Sequence, residues 1–165
     1  MVNQSLIRHA SAEDIPIIQA LSYSIWPKAY AELLSHDQIT YMLNWMYSSE
    51  VLADQITQQG ITYLLIEDEV PLGFAAYGPA LNNRYKLHKL YVDTNKQQVG
   101  LGRQLLEKIW TLLPSSCVGL ELQVNKNNPA QHFYKKMGFK IESEAIFEIG
   151  NGYVMDDYIM WKPRM

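Results

Sequence analysis

YKLHKLYVDTNKQQVGLGRQLLEKIW, residues 85–110, passes from one kind of periodicity to another. The run from Arg84 to Val92 has the composition of a β-strand, a polar turn with glycines follows, and an amphipathic helix is expected from about Arg103. The turn holds Gln97-Gln98-Val99-Gly100-Leu101-Gly102, a Q-x-x-G-x-G pattern that ends where the helix begins. A chain turning there aims several unpaired backbone N–H groups at one point, backed by the positive end of the helix dipole. That geometry suits a phosphate. A glycine pair also serves a plain strand-to-helix connection that needs positive φ. The turn is not a P-loop, since no G-x-x-x-x-G-K-[ST] occurs, and it is not a dinucleotide fingerprint, since Leu105 stands at the third glycine position.

Working outward, the 165 residues are 48% apolar, which fits one globular domain (residues 1–165) with a substantial core. Charged residues make up 19% and the formal net charge is −3, so the basic footprint of a nucleic-acid binder is missing. Cys117 is the sole cysteine, which excludes an intramolecular disulfide and fits a reducing compartment. The N-terminal stretch lacks the apolar run of a signal peptide, and Val70–Leu81 is too short and too rich in proline and glycine to span a membrane. The expectation is a soluble, cytoplasmic protein with no membrane and no nucleic-acid partner.

Toward the N-terminus, Leu6–His9 is a short strand. Ser11 or Asp14 caps a helix to about Ser24, Pro16 in its first turn favouring Asp14. Trp26-Pro27 is expected to end that helix, because the residue before proline is pushed from the helical region. Ser35-His36-Asp37-Gln38 resembles a capping box opening a helix over Ile39–Tyr47, and Ser49 begins another that stops at Gly60. Strands follow at Ile61–Glu67 and Leu72–Tyr77. Beyond the opening stretch come a strand at Val118–Val124 and a helix over Ala130–Met137, capped by Asn127 or Asn128 and closed by Gly138. Asn151-Gly152 between two strand-like runs, Lys140–Ile149 and Tyr153–Lys162, is a strong hairpin signal. The order β-α-α-α-β-β-β-α-β-α-β-β implies an α/β fold with a mixed sheet and helices on both faces.

A second block changes the weight of the first. Leu122–Phe139 reads LQVNKNNPAQHFYKKMGF. Together the two blocks resemble the GNAT superfamily of acetyl-CoA-dependent N-acetyltransferases. The first matches its strand–[QR]-x-x-G-x-[GA]–helix motif through Gln97, Gly100 and Gly102. The second matches N-x-x-A-x-x-F-Y-x-x-x-G-F through Asn127, Ala130, Phe133, Tyr134, Gly138 and Phe139. The resemblance covers nearly the whole chain. It implies a mostly antiparallel central sheet splayed between two parallel strands, the acyl-CoA N-acyltransferase fold, with acetyl-CoA as co-substrate and no metal. Dimers are common in the superfamily, which leaves a homodimer open.

The resemblance also implies roles. The pyrophosphate of acetyl-CoA suits the backbone N–H groups of Gln98, Val99, Gly100, Leu101, Gly102 and Arg103, with Gln97 opening the motif. The pantetheine arm, a chain of amides, pairs like an added strand with Leu90-Tyr91-Val92, an edge exposed where the two central strands part, often after a β-bulge; the uneven run Lys86–Leu90 is compatible with one. Tyr134 sits where the family keeps its acid, and a phenol with pKa about 10 can protonate the departing thiolate. Asn127 is either a helix cap or a hydrogen-bond partner for pantetheine. A base must deprotonate the amine, and where many members carry glutamate this chain has His88; imidazole or a water chain can serve.

The acceptor is expected to meet an aromatic N-terminal region and the last hairpin. Trp26 and Tyr30 are singled out because proline places them on a loop, and the hairpin offers Glu148, Asp156 and Asp157 to a cationic amine, Asp156 being preferred. W-x-x-x-Y, T-Y-M-L, G-F-x-x-Y and the D-D-Y-I-M ending look similar to the polyamine (spermidine/spermine) acetyltransferase branch. The expectation is direct acetyl transfer to a small primary amine such as a polyamine, with Cys117 given no nucleophilic role. The alternatives are a protein or peptide amine as acceptor, and a CoA-binding sensor of the same fold that has lost catalysis.

Overall fold

The computed structural model describes residues 5–95 and 100–165. Gln97, Gln98 and Val99, three of the expected phosphate-turn residues, lie outside the described residues. The elements run β1 (Leu6–His9), α1 (Ile15–Ala29), α2 (His36–Met46), α3 (Ser49–Thr57), β2 (Thr62–Glu67), β3 (Pro71–Pro79), β4 (Arg84–Val92), α4 (Leu101–Leu112), β5 (Gly119–Asn125), α5 (Ala130–Lys136), β6 (Lys140–Gly150) and β7 (Tyr153–Pro163). The seven strands form one mixed sheet in the order β1-β2-β3-β4-β5-β7-β6. β4 and β5 are parallel, and the other registers described are antiparallel. This is the fold class expected from the element order.

The residues group into two compact units, Met1–Gly78 with Lys89–Leu112, and Pro79–His88 with Leu113–Met165. In the first unit, β2 carries the four-residue buried run Tyr63–Ile66, as a strand flanked by β1 and β3 must when both faces are covered. α4 turns Leu101, Leu105, Leu106 and Ile109 inward, one face of a 3.6-residue period. α1 begins after a 3₁₀ turn (Ala12–Asp14). Asp14 is its cap residue, yet the Asp14 carboxylate is taken up elsewhere: it accepts the Ser11 N–H at 2.9 Å and the two terminal Arg8 guanidinium nitrogens, each at 2.9 Å. α2 and α3 are capped by Ser35 and Ser48, which accept the backbone N–H of Gln38 and Val51.

Pro27 does not end α1. The helix passes through it to Ala29, and the Tyr30 N–H bonds the Trp26 carbonyl. Proline removes one backbone bond, but here it does so in the last turn, and burial of Ile25 and Trp26 on the same helix outweighs the local preference.

In the second unit, β5 pairs β7 along its whole length, Gly119↔Pro163 to Asn125↔Asp157, and β7 pairs β6 with register shifts at Ile141/Ser143 and Glu148/Gly150. Asn151 and Gly152 have φ of 54° and 78°, the two positive values that a type I′ hairpin needs. The parallel register of β4 and β5 covers Arg84–Leu87 against Gly119–Leu122, so the last three residues of β5 run on past it. No helix among the described residues is long and apolar enough to cross a membrane.

Candidate active site

In the first unit, the start of α4 is the part of the expected anion-binding turn that lies among the described residues. Gly100 has φ +84°, the conformation a glycine was expected to provide, and a Cβ there would touch nothing, so backbone conformation alone demands the residue. The first bond of the helix is Gln104 N–H to the Gly100 carbonyl. The N–H groups of Leu101, Gly102 and Arg103 therefore precede the intrahelical ladder, and they carry the positive end of a 12-residue helix. Leu101 is buried and anchors this end, while Arg103 is exposed and paired with Glu107 at 2.7 Å. The helix starts two residues earlier than expected, which puts Leu101, Gly102 and Arg103 inside its first turn.

Leu90, Tyr91 and Val92 are half-buried on the C-terminal part of β4. The Tyr91 hydroxyl lies 2.8 Å from the Tyr30 hydroxyl, and its ring is 5.6 Å from Trp26 and 5.8 Å from Phe74. The structure thus brings together Trp26, Tyr30 and Tyr91 in one aromatic cluster with Tyr47 and Phe74. The ground on which Trp26 was singled out is corrected: it is helical, not on a loop. It is 1% exposed, and its indole N–H donates to the Tyr47 hydroxyl at 3.1 Å. Tyr30 stands at the C-cap of α1, half-buried.

Sequence reasoning missed Lys89. It is 5% exposed, its ammonium nitrogen donates to the Tyr63 hydroxyl at 2.7 Å, and it stands 4.2 Å from the Tyr47 ring centroid. Burial pushes this amine down to about 7. The signal was available: Leu87, Lys89 and Tyr91 alternate on one strand, so a lysine occupies an inward position. That buried lysine is one source of the uneven pattern that seemed compatible with a bulge.

The linkage is direct. The unfolded chain holds the Lys89 proton up to about pH 10.5, the folded chain only to about 7, so stability rises between those limits as pH increases. The midpoint of thermal unfolding should climb from pH 7 to 9.5, worth on the order of 3 kcal/mol at 1.36 kcal/mol per unit. Lys89→Met should flatten that slope. A wild-type curve that is level or falling over this window would remove the buried-amine account.

In the second unit, Tyr134 lies on α5 and is 9% exposed. Its ring meets Phe133 and Phe139 edge-on, with centroids 5.3 and 5.8 Å away. Gly138, at φ +96°, follows the C-cap of α5, and the Lys162 ammonium donates to the Met137 carbonyl at 2.7 Å. Asn127 is exposed and its N–H donates to the Asn125 side chain at 2.8 Å; it is Asn128 whose side chain accepts the Ala130 N–H at 2.9 Å. Pro129 stands at the N-cap of α5, so neither asparagine is its cap residue, and Asn128 instead holds the turn just ahead of the helix. His88 is exposed on β4. Cys117 is buried with its thiol 3.3 Å from the Gly119 carbonyl.

The two neighbouring hairpin aspartates differ sharply. Asp156 is exposed and pairs with Lys126 at 2.9 Å, an ammonium that also holds Glu144 at 2.9 Å. Asp157 is fully buried, at 0% exposure, and neither carboxylate oxygen has a hydrogen-bond partner among the described residues. Burial pushes its carboxyl up to about 6; Asp156 adds to the shift and Lys86 opposes it.

Comparison with known proteins agrees with the fold. Residues 30–154 match the family described as acetyltransferase (GNAT) domain. A probable N-acetyltransferase of Mycobacterium tuberculosis is 27% identical over 147 residues, covering 84% of this chain and 82% of the relative. A peptidyl-lysine N-acetyltransferase of Salmonella typhimurium is 29% identical over 106 residues, 63% of this chain and 67% of its own. Among solved structures, the PaiA N-acetyltransferase of Thermoplasma acidophilum in complex with coenzyme A superposes with a TM-score of 0.82 at 24% identity, covering 98% of this chain and 99% of that one. The ribosomal-protein-S18-alanine N-acetyltransferase of Escherichia coli gives 0.72 at 20% identity, over 97% and 94% of the two chains.

Proposed function

The chain belongs to the GNAT acetyltransferase family, and on that premise we propose that it transfers the acetyl group of acetyl-CoA directly to a small primary amine, a polyamine being the preferred class. The observation that carries the reading is the start of α4. Gly100 at positive φ, followed by three N–H groups ahead of the first helical bond, is a fixed donor set for a pyrophosphate. Bound acetyl-CoA supplies an activated acyl group. The residues of the chain then hold and order it: Leu101, Gly102 and Arg103 for the pyrophosphate, Leu90–Val92 for the amides of pantetheine, with Asn127 as a further pantetheine partner.

In this reading the neutral amine attacks the thioester carbon, a C–N bond forms, the C–S bond breaks, and the thiolate takes a proton from the Tyr134 hydroxyl. The proton released by the nitrogen passes to His88 or to water. Cys117, buried and bonded to a backbone carbonyl, takes no acyl group. Trp26, Tyr30 and Asp156 are assigned to the acceptor, with Tyr30 and its Tyr91 contact the best-supported member. The same reading takes residues 1–165 as one acetyltransferase domain, cytoplasmic, with a homodimer left to test.

A second reading has a specific observation behind it: the Salmonella relative is named a peptidyl-lysine N-acetyltransferase. The acceptor would then be a lysine side chain of a peptide. A third, a CoA sensor without catalysis, follows from His88 standing where many relatives carry glutamate. One assay separates all three. Acetyl-CoA is incubated with the protein and a panel of monoamines, diamines, polyamines and lysine-containing peptides, and free thiol is followed. Turnover on small amines supports the favoured reading, turnover confined to peptides transfers the assignment, and CoA binding without turnover on any amine leaves a sensor.

A further inference from the structure

Asp157 has no role in the fold that its burial explains. It sits on β7 between Asn125 of β5 and Ala145 of β6 in the two antiparallel registers. A carboxylate wholly buried with neither oxygen hydrogen-bonded is a costly arrangement, and such groups in native proteins call for an explanation. The neighbours do not provide one. The Asn125 side-chain oxygen is engaged with the Asn127 N–H, and Ala145 brings no polar group. Asp156 points its charge to Lys126. Lys86 of β4 acts on Asp157 through the field alone, forms no ion pair with it among the described residues, and is shared with Glu121 of β5.

The parallel register of β4 and β5 stops at Leu87↔Leu122, and Asn125, the residue opposite Asp157, lies three positions further along β5. At that level β5 is held by β7 on one flank and lies beyond the β4 register on the other. An ammonium group that reached Asp157 would meet a desolvated carboxylate with neither oxygen hydrogen-bonded among the described residues. With no donor from the described residues on either oxygen, an N⁺–H group is the partner that such a carboxylate would hold most strongly.

We propose that the Asp157 carboxylate binds an ammonium group of the acceptor and so selects cationic amines, an assignment that rests on the acetyltransferase reading above. It displaces Asp156 as the selecting carboxylate, since Asp156 is already neutralised at the surface. The ammonium could be the reacting nitrogen of a monoamine or the second nitrogen of a diamine, and these differ in kinetics.

The test compares wild type with Asp157→Asn, each saturated with CoA, titrated calorimetrically with n-butylamine and with 1,4-diaminobutane; turnover with acetyl-CoA is measured in parallel. Asp157→Asn should weaken amine binding tenfold or more, leave CoA affinity within twofold, and leave the unfolding midpoint at pH 7.5 unchanged or raised. If the second nitrogen is the one held, the KM advantage of the diamine vanishes while kcat for the monoamine stays. If the reacting nitrogen is held, kcat/KM falls for both. Amine affinity of the wild type should also decline as pH drops through about 6, the value to which the Asp157 carboxyl is raised, a readout that needs no variant. Wild-type amine affinity in Asp157→Asn, or affinity level across that pH range, overturns the proposal. So does a fall in the unfolding midpoint together with CoA affinity, which would mark a structural role. The two readings fail separately: amine binding lost in the variant with no turnover in either protein refutes the transferase and keeps the site. Equal turnover and binding in both proteins refutes the site and keeps the transferase.

Discussion

Tyr134→Phe should lower kcat by about 100-fold or more while CoA affinity stays within a factor of two. The substitution keeps the ring that meets Phe133 and Phe139, so the packing of α5 survives and only the hydroxyl is lost. Positioned proton donors contribute roughly 10²–10⁴ in rate, and a departing alkyl thiolate gains from one because its charge appears only as the C–S bond breaks. An interaction confined to the transition state shows as a fall in kcat and kcat/KM together, with KM for the amine little changed. A full-rate variant would leave Tyr134 with packing alone. The loss of rate together with CoA binding would mean that the hydroxyl holds the cofactor rather than the proton.

Gly73→Ala should be the most damaging single methyl in the first unit. A Cβ at residue 73 would lie 2.6 Å from the Tyr91 carbonyl oxygen and 2.9 Å from Val92 Cγ1, well inside contact distance, and the nearest of these atoms is backbone. β3 and β4 are held together beside it by the Asp93 N–H to the Leu72 carbonyl at 2.7 Å. The strand cannot accept the methyl without moving residues 91 and 92. Overpacking of this kind costs about 1–3 kcal/mol, occasionally more, and at a site backed by main chain the upper end applies. For a chain of this size that is a drop in unfolding midpoint of roughly 6–12 °C. On the proposed reading CoA affinity should fall as well, because the displaced residues are those assigned to pantetheine. A midpoint within 1–2 °C of wild type, on the order of 0.5 kcal/mol, would show that β3 and β4 are further apart than described.

What could be read ahead of the structure was what local chemistry dictates. Asn151-Gly152 gave its hairpin because a two-residue turn with positive φ admits few other residues. Ser35 gave its cap because its hydroxyl can accept the Gln38 N–H in the first turn of α2. Gly100 gave its positive φ ahead of α4 for the same kind of reason. The misreadings came where tertiary packing overrode a local rule. Pro27 is a helix breaker by itself, yet Trp26 and Ile25 are buried and carry α1 past it. Lys89 and Asp157 were the harder cases. A lysine inside and a buried carboxylate contradict the expectation that charges face water, and only the alternation of Leu87, Lys89 and Tyr91 along β4 pointed to the first of them. Which of Asp156 and Asp157 turns inward is decided by the register of β7 against β5 and β6, with two irregularities along β6 that a linear pattern does not show.

Those two groups also oppose each other in the pH dependence of stability. Asp157, raised to about 6 from 3.8, lowers stability as pH climbs through that interval, and Lys89 restores it only above about 7. Chains adopted for stability alone would replace both residues.

The central claim is that acetyl moves in one step from CoA to an amine. It is tested most directly with isotopically labelled acetyl-CoA, the amine that releases most thiol, and mass analysis of amine and protein from the same reaction. The account predicts one labelled acetyl on the amine nitrogen for each CoA thiol released, and no label on the protein, Cys117 included. Thiol release without an acetylated amine, or label carried on the protein during turnover, would contradict it.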